Sequence, residues 1–302
     1  MCSTEAKIQI IIESAIRLGR KLVYLHAQKG LIHITMHYEN HLLIYDLPAL
    51  KGGDAVAFST TRGGGCSSGA YASMNCTPYT GDSPTCVERN QQLLCDRLPQ
   101  LPQTLVIPYQ THGCTCLDID ETYLSAPQEQ KEMMLQGVDA LTTCHEGVCI
   151  CISTADCIPV IIYDYAHHAA AAIHAGWRGT VQRIVSHTLQ QMQHRYGTEG
   201  KECIACIGPG ISLQAFETGD EVYEAFAAAG FPMSQLSYRH PATQKYHLDL
   251  PTANLLQLKE FGIPDAHIEQ SNLCTYNQYE NFFSARRLGI RSGRILTGIL
   301  MK

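Results

Sequence analysis

The chain has 302 residues, of which 45% are hydrophobic and 17% charged, enough apolar material for one large core. A net charge of -6 and a pI near 6.1 exclude a basic nucleic-acid-binding surface as its main business. No apolar run is long enough to span a bilayer, and the polar start with Glu13 and Arg17 behind Ile8–Ile12 does not read as a signal peptide.

Ile8, Ile12, Ala15 and Ile16 recur at helical spacing, which predicts a helix over Ile8–Leu25. Leu31–Tyr45 holds two strand-like pieces around Glu39-Asn40, and Lys51-Gly52-Gly53-Asp54 reads as a turn. Asp82-Ser83-Pro84 opens a helix with proline in its first turn. Its inner face is Val87, Leu94, Cys95 and Leu98, and Pro99–Pro102 ends it. Strand-like runs follow at Leu105–Ile107, Val148–Ser153, Val160–Tyr163 and Ala169–His174. Thr180–Tyr196 places Val181, Ile184, Val185, Leu189 and Met192 on one side, a helix that stops at Gly197. Cys203–Ile207 reads as a strand, Asp220–Ala229 and Thr252–Phe261 as helices each ending at a glycine, and Ile295–Leu300 as the last strand. There is no repeat, no low-complexity segment and no linker. The expectation is one compact domain of mixed sheets flanked by helices over 41–302. Residues 1–40 are expected as an N-terminal extension of helix plus strand.

Fourteen cysteines are many for a cytoplasmic chain. Length, the lack of a signal and the modest loop content favour free thiols over disulfides, and so a cytoplasmic protein. Cys203 and Cys206 would face opposite sides of one strand. Cys114 with Cys116, and Cys149 with Cys151, would share a face, where core filling competes with a structural zinc.

The segment Thr154-Ala155-Asp156-Cys157-Ile158-Pro159, followed by Ile173-His174-Ala175-Gly176-Trp177-Arg178-Gly179, is the most telling. Cys157 opens one apolar run and His174 closes the next. A hairpin of the two would make thiol and imidazole neighbours. Such a pair is a nucleophile with its base or two-thirds of a metal site. Four other segments can carry chemistry, each with a plainer reading beside it. Arg62-Gly63-Gly64-Gly65 suits an anion or is a flexible loop. His112 before Gly113 is a ligand or a bonded loop residue, and Asp139 in an apolar piece is an acid or a turn residue. Phe282-Phe283-Ser284-Ala285-Arg286-Arg287 is an anion rim or a solvated face.

Taken in order, Thr61-Arg62-Gly63-Gly64, Ser73-Met74-Asn75, Gln110-Thr111-His112-Gly113, Val138–Leu141, Thr154–Pro159, His174–Gly179, Ile207-Gly208-Pro209, His247–Leu250, Cys274-Thr275 and Phe282-Phe283-Ser284 resemble the YfiH family. These are the laccase-domain, or polyphenol-oxidase-like, purine nucleoside phosphorylases. The match runs from about residue 54 to the end. The resemblance implies an α+β fold shared with the catalytic domain of cytotoxic necrotizing factor. It implies zinc held by His112, Cys157 and His174, phosphorolysis of adenosine, inosine and S-methyl-5′-thioadenosine, and adenosine deamination. Two positions depart from the family pattern: Leu288-Gly289 where an Asp is usual, and Thr111 where the family has Val.

Three protein ligands would leave zinc an open fourth position, as catalysis requires. The usual zinc deaminase signature is absent, and Asp139 and Asp156 are the nearest acidic groups by motif. Arg62, Asn75, Asp139 and Arg178 are the candidates for substrate and phosphate, with purine nucleosides and phosphate as partners. A copper oxidase is disfavoured because none of the 14 His forms a His-x-His pair, although copper can replace zinc adventitiously. A stronger rival is a Cys157–His174 hydrolase acting on amides or peptidoglycan precursors, which would not need His112, and a noncatalytic structural role is the last alternative, disfavoured by the polar groups gathered at strand ends.

Overall fold

A computed structural model describes residues 21–28, 31–45 and 54–302. The strands in chain order are β1 Lys21–Gln28, β2 Leu31–Glu39, β3 Leu42–Tyr45, β4 Ala55–Thr60, β5 Thr104–Val106, β6 Cys116–Asp118, β7 Ala140–Thr143 and β8 Val148–Thr154. Then come β9 Ile158–Asp164, β10 Ala169–Ala175, β11 Cys203–Ile207, β12 Glu217–Thr218, β13 Ser237–Arg239, β14 Tyr246–Leu248, β15 Ile268–Gln270 and β16 Ile295–Met301. The longer helices are α1 Pro84–Arg97, α2 Ile184–Tyr196, α3 Asp220–Ala228 and α4 Leu250–Glu260.

One sheet has the order β1-β2-β3-β4-β16-β8-β5 and the other β15-β11-β9-β10-β7-β6, with a small β12-β14-β13 sheet beside them. Both large sheets are mixed: β5 is parallel to β8, β6 to β7 and β11 to β15.

Alternation along β9 explains the layers. Ile158, Val160 and Ile162 enter the core under the helices, where α2 supplies Ile184, Val185, Leu189 and Met192. Ile161 and Tyr163 enter the core between the sheets, against Ile150, Ile152 and Ile299. Both faces are covered, so these strands read as unbroken apolar runs. The outer face of the seven-stranded sheet takes Phe58, Cys149, Cys151 and Leu300, closed by Leu94 and Leu98 at α1. The result is four layers, helix on sheet on sheet on helix, in an α+β arrangement.

Where the structure departs from expectation, local chemistry explains it. The helix predicted over Ile8–Leu25 lies outside the described residues up to residue 20, and Lys21–Leu25 are strand. Pairing with β2 decides that strand, a partner that spacing alone does not see. The turn at Lys51–Gly53 also lies outside the described residues. The boundary expected at residue 40 falls in the turn between β2 and β3, which pair in one sheet. The helix expected over Thr180–Tyr196 is two helices, Trp177–Val181 and α2. Arg183, at φ 60°, breaks it, held by an ion pair to Glu260 at 3.0 Å and by its stacking on Phe231. α2 ends where expected, on left-handed Gly197.

Every described cysteine is free. Cys203 and Cys206 enter different cores, and Cys149 and Cys151 fill the outer one with sulfurs 3.7 Å apart. Neither these nor Cys114 and Cys116 join a metal-type cluster among the described residues. Among the described residues no helix is long and apolar enough to cross a membrane.

Candidate metal centre and its cleft

β9 and β10 pair with His174 opposite Pro159 and Ala175 opposite Ile158. That register sets Cys157, one residue before β9, beside His174, one residue before the end of β10. His112 joins from the loop after β5, in a left-handed conformation at φ 63°. The ligand-type atoms of His112, Cys157 and His174 all lie within 4.8 Å of one another. The two imidazoles meet edge to face with centroids 4.9 Å apart.

Asp139, wholly buried just before β7, organises both histidines. Its carboxylate accepts the N–H of Thr111 at 3.2 Å, of His112 at 2.9 Å and of Gly113 at 2.8 Å. It also accepts Nδ1–H of His174 at 2.8 Å, while its own carbonyl takes the His174 N–H. In the neutral ring, a proton fixed on Nδ1 leaves the Nε2 lone pair of His174 free to bind a metal. Burial works against the Asp139 charge, but the bonds and charge from His174 and the backbone donors hold its pKa below the usual value.

Burial raises the Cys157 pKa, but the His174 charge and hydrogen bonds from both imidazoles outweigh it and bring it down to about 6. Burial likewise opposes the His174 charge, but Cys157 and Asp139 push its pKa up to about 9. The pair therefore favours a thiolate, the form in which sulfur binds metals or attacks carbon.

Gly176 makes room for this convergence. A Cβ there would lie 3.0 Å from Cys157 Sγ and 3.1 Å from His112 Cδ2. One thiolate and two imidazoles are the donor types zinc accepts, and no fourth His, Cys, Asp or Glu joins them among the described residues. The residues present therefore fit a metal ion with one open side.

The three side chains form the floor of a cleft of about 340 Å³. One wall carries Thr77, Tyr79 and Thr80, and another Tyr109, Gln110 and Ser153. Ala285, Ile290 and Arg294 form the third. The rings of Tyr79 and Tyr109 meet edge to face at 5.1 Å and are 41% and 42% exposed, so both stay available to a flat ligand. Among the described residues, Arg294 is the one Lys or Arg lining the cleft. Its Nη1 donates to the carbonyls of Ser292 and Gly293 and its Nη2 to that of Ile290, which fixes the guanidinium plane. Ser153, also among the lining residues, has a buried Oγ without a hydrogen-bond partner among the described residues.

The other predicted residues are placed differently. Arg62 does not line the cleft. It donates from Nε to Ala72 O at 2.7 Å and from Nη1 to Tyr279 O at 2.9 Å. Its fork thus braces two loops instead of facing an anion. Arg178 is exposed, stacked on Trp177 at 4.3 Å and also outside the lining. Asn75 is buried behind the wall, donating to Thr80 Oγ1 and Asp82 at 3.0 Å and accepting the N–H of Arg294 at 3.1 Å. Asp139 likewise faces backbone and His174. Asp156 accepts the hydroxyls of Thr275 and Ser284 and the N–H of Arg286, each at 2.7 Å. Both carboxylates are therefore occupied as braces. Sequence reading missed Tyr79, Tyr109, Ser153 and Arg294, because three come from separate loops and Ser153 from strand β8, and no spacing connects them.

The family model described as multi-copper polyphenol oxidoreductase laccase matches residues 56–302. The chain belongs to this laccase-like, YfiH-type family. A purine nucleoside phosphorylase of Bacteroides thetaiotaomicron is 56% identical over 244 residues, which is 81% of this chain and 90% of that protein. Adenosine deaminase RL5, from an unknown prokaryotic organism, is 42% identical over 82% of this chain and 94% of its own length. The crystal structure of YlmD from Geobacillus stearothermophilus superposes with a TM-score of 0.81 at 31% identity, covering 89% of this chain and 99% of that one. This YfiH-type family thus joins a name drawn from copper oxidation to members named for purine chemistry. The histidines here bear on that tension: one Cys–His–His group floors the cleft, and no His-x-His pair exists to build a multi-copper cluster.

Proposed function

We propose that this chain is a zinc-dependent purine nucleoside phosphorylase. It splits adenosine, inosine and S-methyl-5′-thioadenosine with phosphate and deaminates adenosine as a second activity. The observation that carries the reading is the Cys–His–His floor opening into a cleft lined by Arg294 and two exposed tyrosines. The names of the relatives from B. thetaiotaomicron and of RL5 support the two activities.

His112, Cys157 and His174 would hold the ion, and when bound it supplies Lewis acidity at the cleft floor. Tyr79 and Tyr109 offer aromatic faces and edges to a purine ring, whose stacking needs no charge. Arg294 supplies the permanent positive charge that a phosphate nucleophile needs near the ribose. This role replaces the one expected of Arg62 and Arg178. Asp139 holds the proton on Nδ1 of His174 throughout, which keeps that ring from swinging.

The test is incubation of purified protein with each nucleoside, with and without phosphate. Ribose 1-phosphate, or 5-methylthioribose 1-phosphate from the thioadenosine, formed only with phosphate supports phosphorolysis. Free ribose or unchanged nucleoside sinks it, and inosine from adenosine without phosphate reports the deaminase.

One observation favours a second reading. Asp139, His174 and Cys157 are bonded in the order of a hydrolase triad, with a lowered thiol pKa. A cysteine hydrolase acting on amides would use these three alone. Metal analysis of wild type and His112→Ala separates the readings: a hydrolase keeps its activity without His112 and without metal.

A further inference from the structure

The β9–β10 hairpin carries a second group of metal-type donors at its opposite end. β9 closes on Asp164, and the turn that follows carries His167. Glu202 comes from the short turn Gly200–Glu202 that leads into β11, whose first residue, Cys203, pairs with Asp164. The donor atoms of Asp164, His167 and Glu202 all lie within 4.8 Å of one another.

An ordinary turn accounts for only part of this. Asp164 is wholly buried, and its Oδ1 accepts the N–H of Ala166 at 3.0 Å and of His167 at 3.1 Å, which closes the hairpin. That leaves Oδ2 on Nδ1 of His167 at 2.9 Å, and it leaves Glu202 unexplained. The Glu202 side chain is half-buried and has no hydrogen bond or ion pair among the described residues. The nearby cation, Lys201, is paired with Glu199 at 2.6 Å. Two carboxylates, one fully buried, therefore converge on a single imidazole.

We propose that Asp164, His167 and Glu202 form a second metal site, structural in role, for a divalent first-row cation. Two oxygens and one nitrogen without sulfur make it harder than the Cys157 site and suit Mn2+ as well as Zn2+. The 2.9 Å between Asp164 and His167 matches the roughly 3 Å that separates adjacent ligands on an ion with bonds of about 2.1 Å. Binding at Nδ1 requires the other tautomer of the neutral ring: the proton leaves Nδ1 for solvent, Nε2 takes one up, and the ion occupies the freed Nδ1 lone pair. The ion would pin the hairpin turn to the start of β11. Seven residues of strand, roughly 20 Å, separate it from the cleft.

The test uses Mn2+ on the full chain, followed by the loss of free Mn2+ signal in paramagnetic resonance and by the melting temperature. Wild type should bind one Mn2+, and Cys157→Ala should bind it equally well, because the thiolate site disfavours this ion. His167→Ala with Glu202→Gln should weaken binding at least tenfold and abolish the Mn2+-dependent rise in melting temperature, with nucleoside cleavage unchanged. Asp164 stays intact in that variant, so the turn remains closed. Wild-type Mn2+ affinity in the double variant, loss of binding in Cys157→Ala, or no saturable binding in wild type would each overturn the proposal.

Discussion

The floor and the walls of the cleft are built on different principles. Cys157 and His174 sit at the ends of two paired strands buried on both faces, and Asp139 pins His174 and the His112 backbone. The walls come chiefly from the segments 77–80, 109–110 and 285–294, tied to one another by side-chain contacts such as the bonds of Asn75 and the Tyr79–Tyr109 ring pair. The floor is preorganised by the sheet register, and the walls by hydrogen bonds that a single substitution removes. Chemistry should therefore fail as a whole when the floor is changed and selectively when a wall is changed.

The largest effect should come from Cys157→Ser. Both activities should fall by roughly 10³-fold or more together with loss of bound metal, measured by turnover and metal analysis. If deamination survives while phosphorolysis is lost, the two do not share the floor. Asp139→Asn comes next: metal affinity should drop roughly 10- to 100-fold, read by competition with a chelator. KM values of the metal-saturated enzyme should barely move, because Asp139 touches no wall.

Arg294→Ala tests the wall. The KM for phosphate should rise about tenfold, equivalent to about 1.4 kcal/mol, with adenosine deamination unchanged. Equal losses in both activities would return Arg294 to a bracing role. Tyr109→Ala should raise the nucleoside KM a few-fold, in line with about 0.5–1.5 kcal/mol for an aromatic contact. The last prediction concerns pH in metal-stripped protein. Alkylation of Cys157, followed by peptide mass spectrometry, needs the thiolate. Its rate should hold above pH 6 and fall as pH drops through about 6, because His174 holds that pKa down. In His174→Ala the fall should move to higher pH.

The floor was legible in the sequence because apolar runs flank Cys157 and His174, and pairing those runs forces them together. His112 was not derivable that way, since nothing in a loop sequence says which strand end it will approach. Asp139 was seen, but its acceptor role was not, because three of its donors are backbone N–H groups. The short edge strands β6, β12 and β13 carry too few residues for any period to show. The break at Arg183 was hidden because apolar spacing continues across it, with Val181 before and Ile184 after. Arg62 misled because a glycine-rich run advertises flexibility, whereas its backbone and side chain are bonded to remote loops.

Asp156 has a consequence for any attempt to transplant this chemistry. It adopts a left-handed backbone, φ 94°, immediately before Cys157, a conformation that costs on the order of 1–3 kcal/mol and persists only under restraint. That restraint comes from Thr275, Ser284 and Arg286, more than a hundred residues downstream. The hairpin moved alone onto a foreign scaffold would carry its thiol and one imidazole but lose this clasp, and the sulfur would relax off target. The last quarter of the chain thus acts as a remote buckle for the Cys157–His174 end of the hairpin.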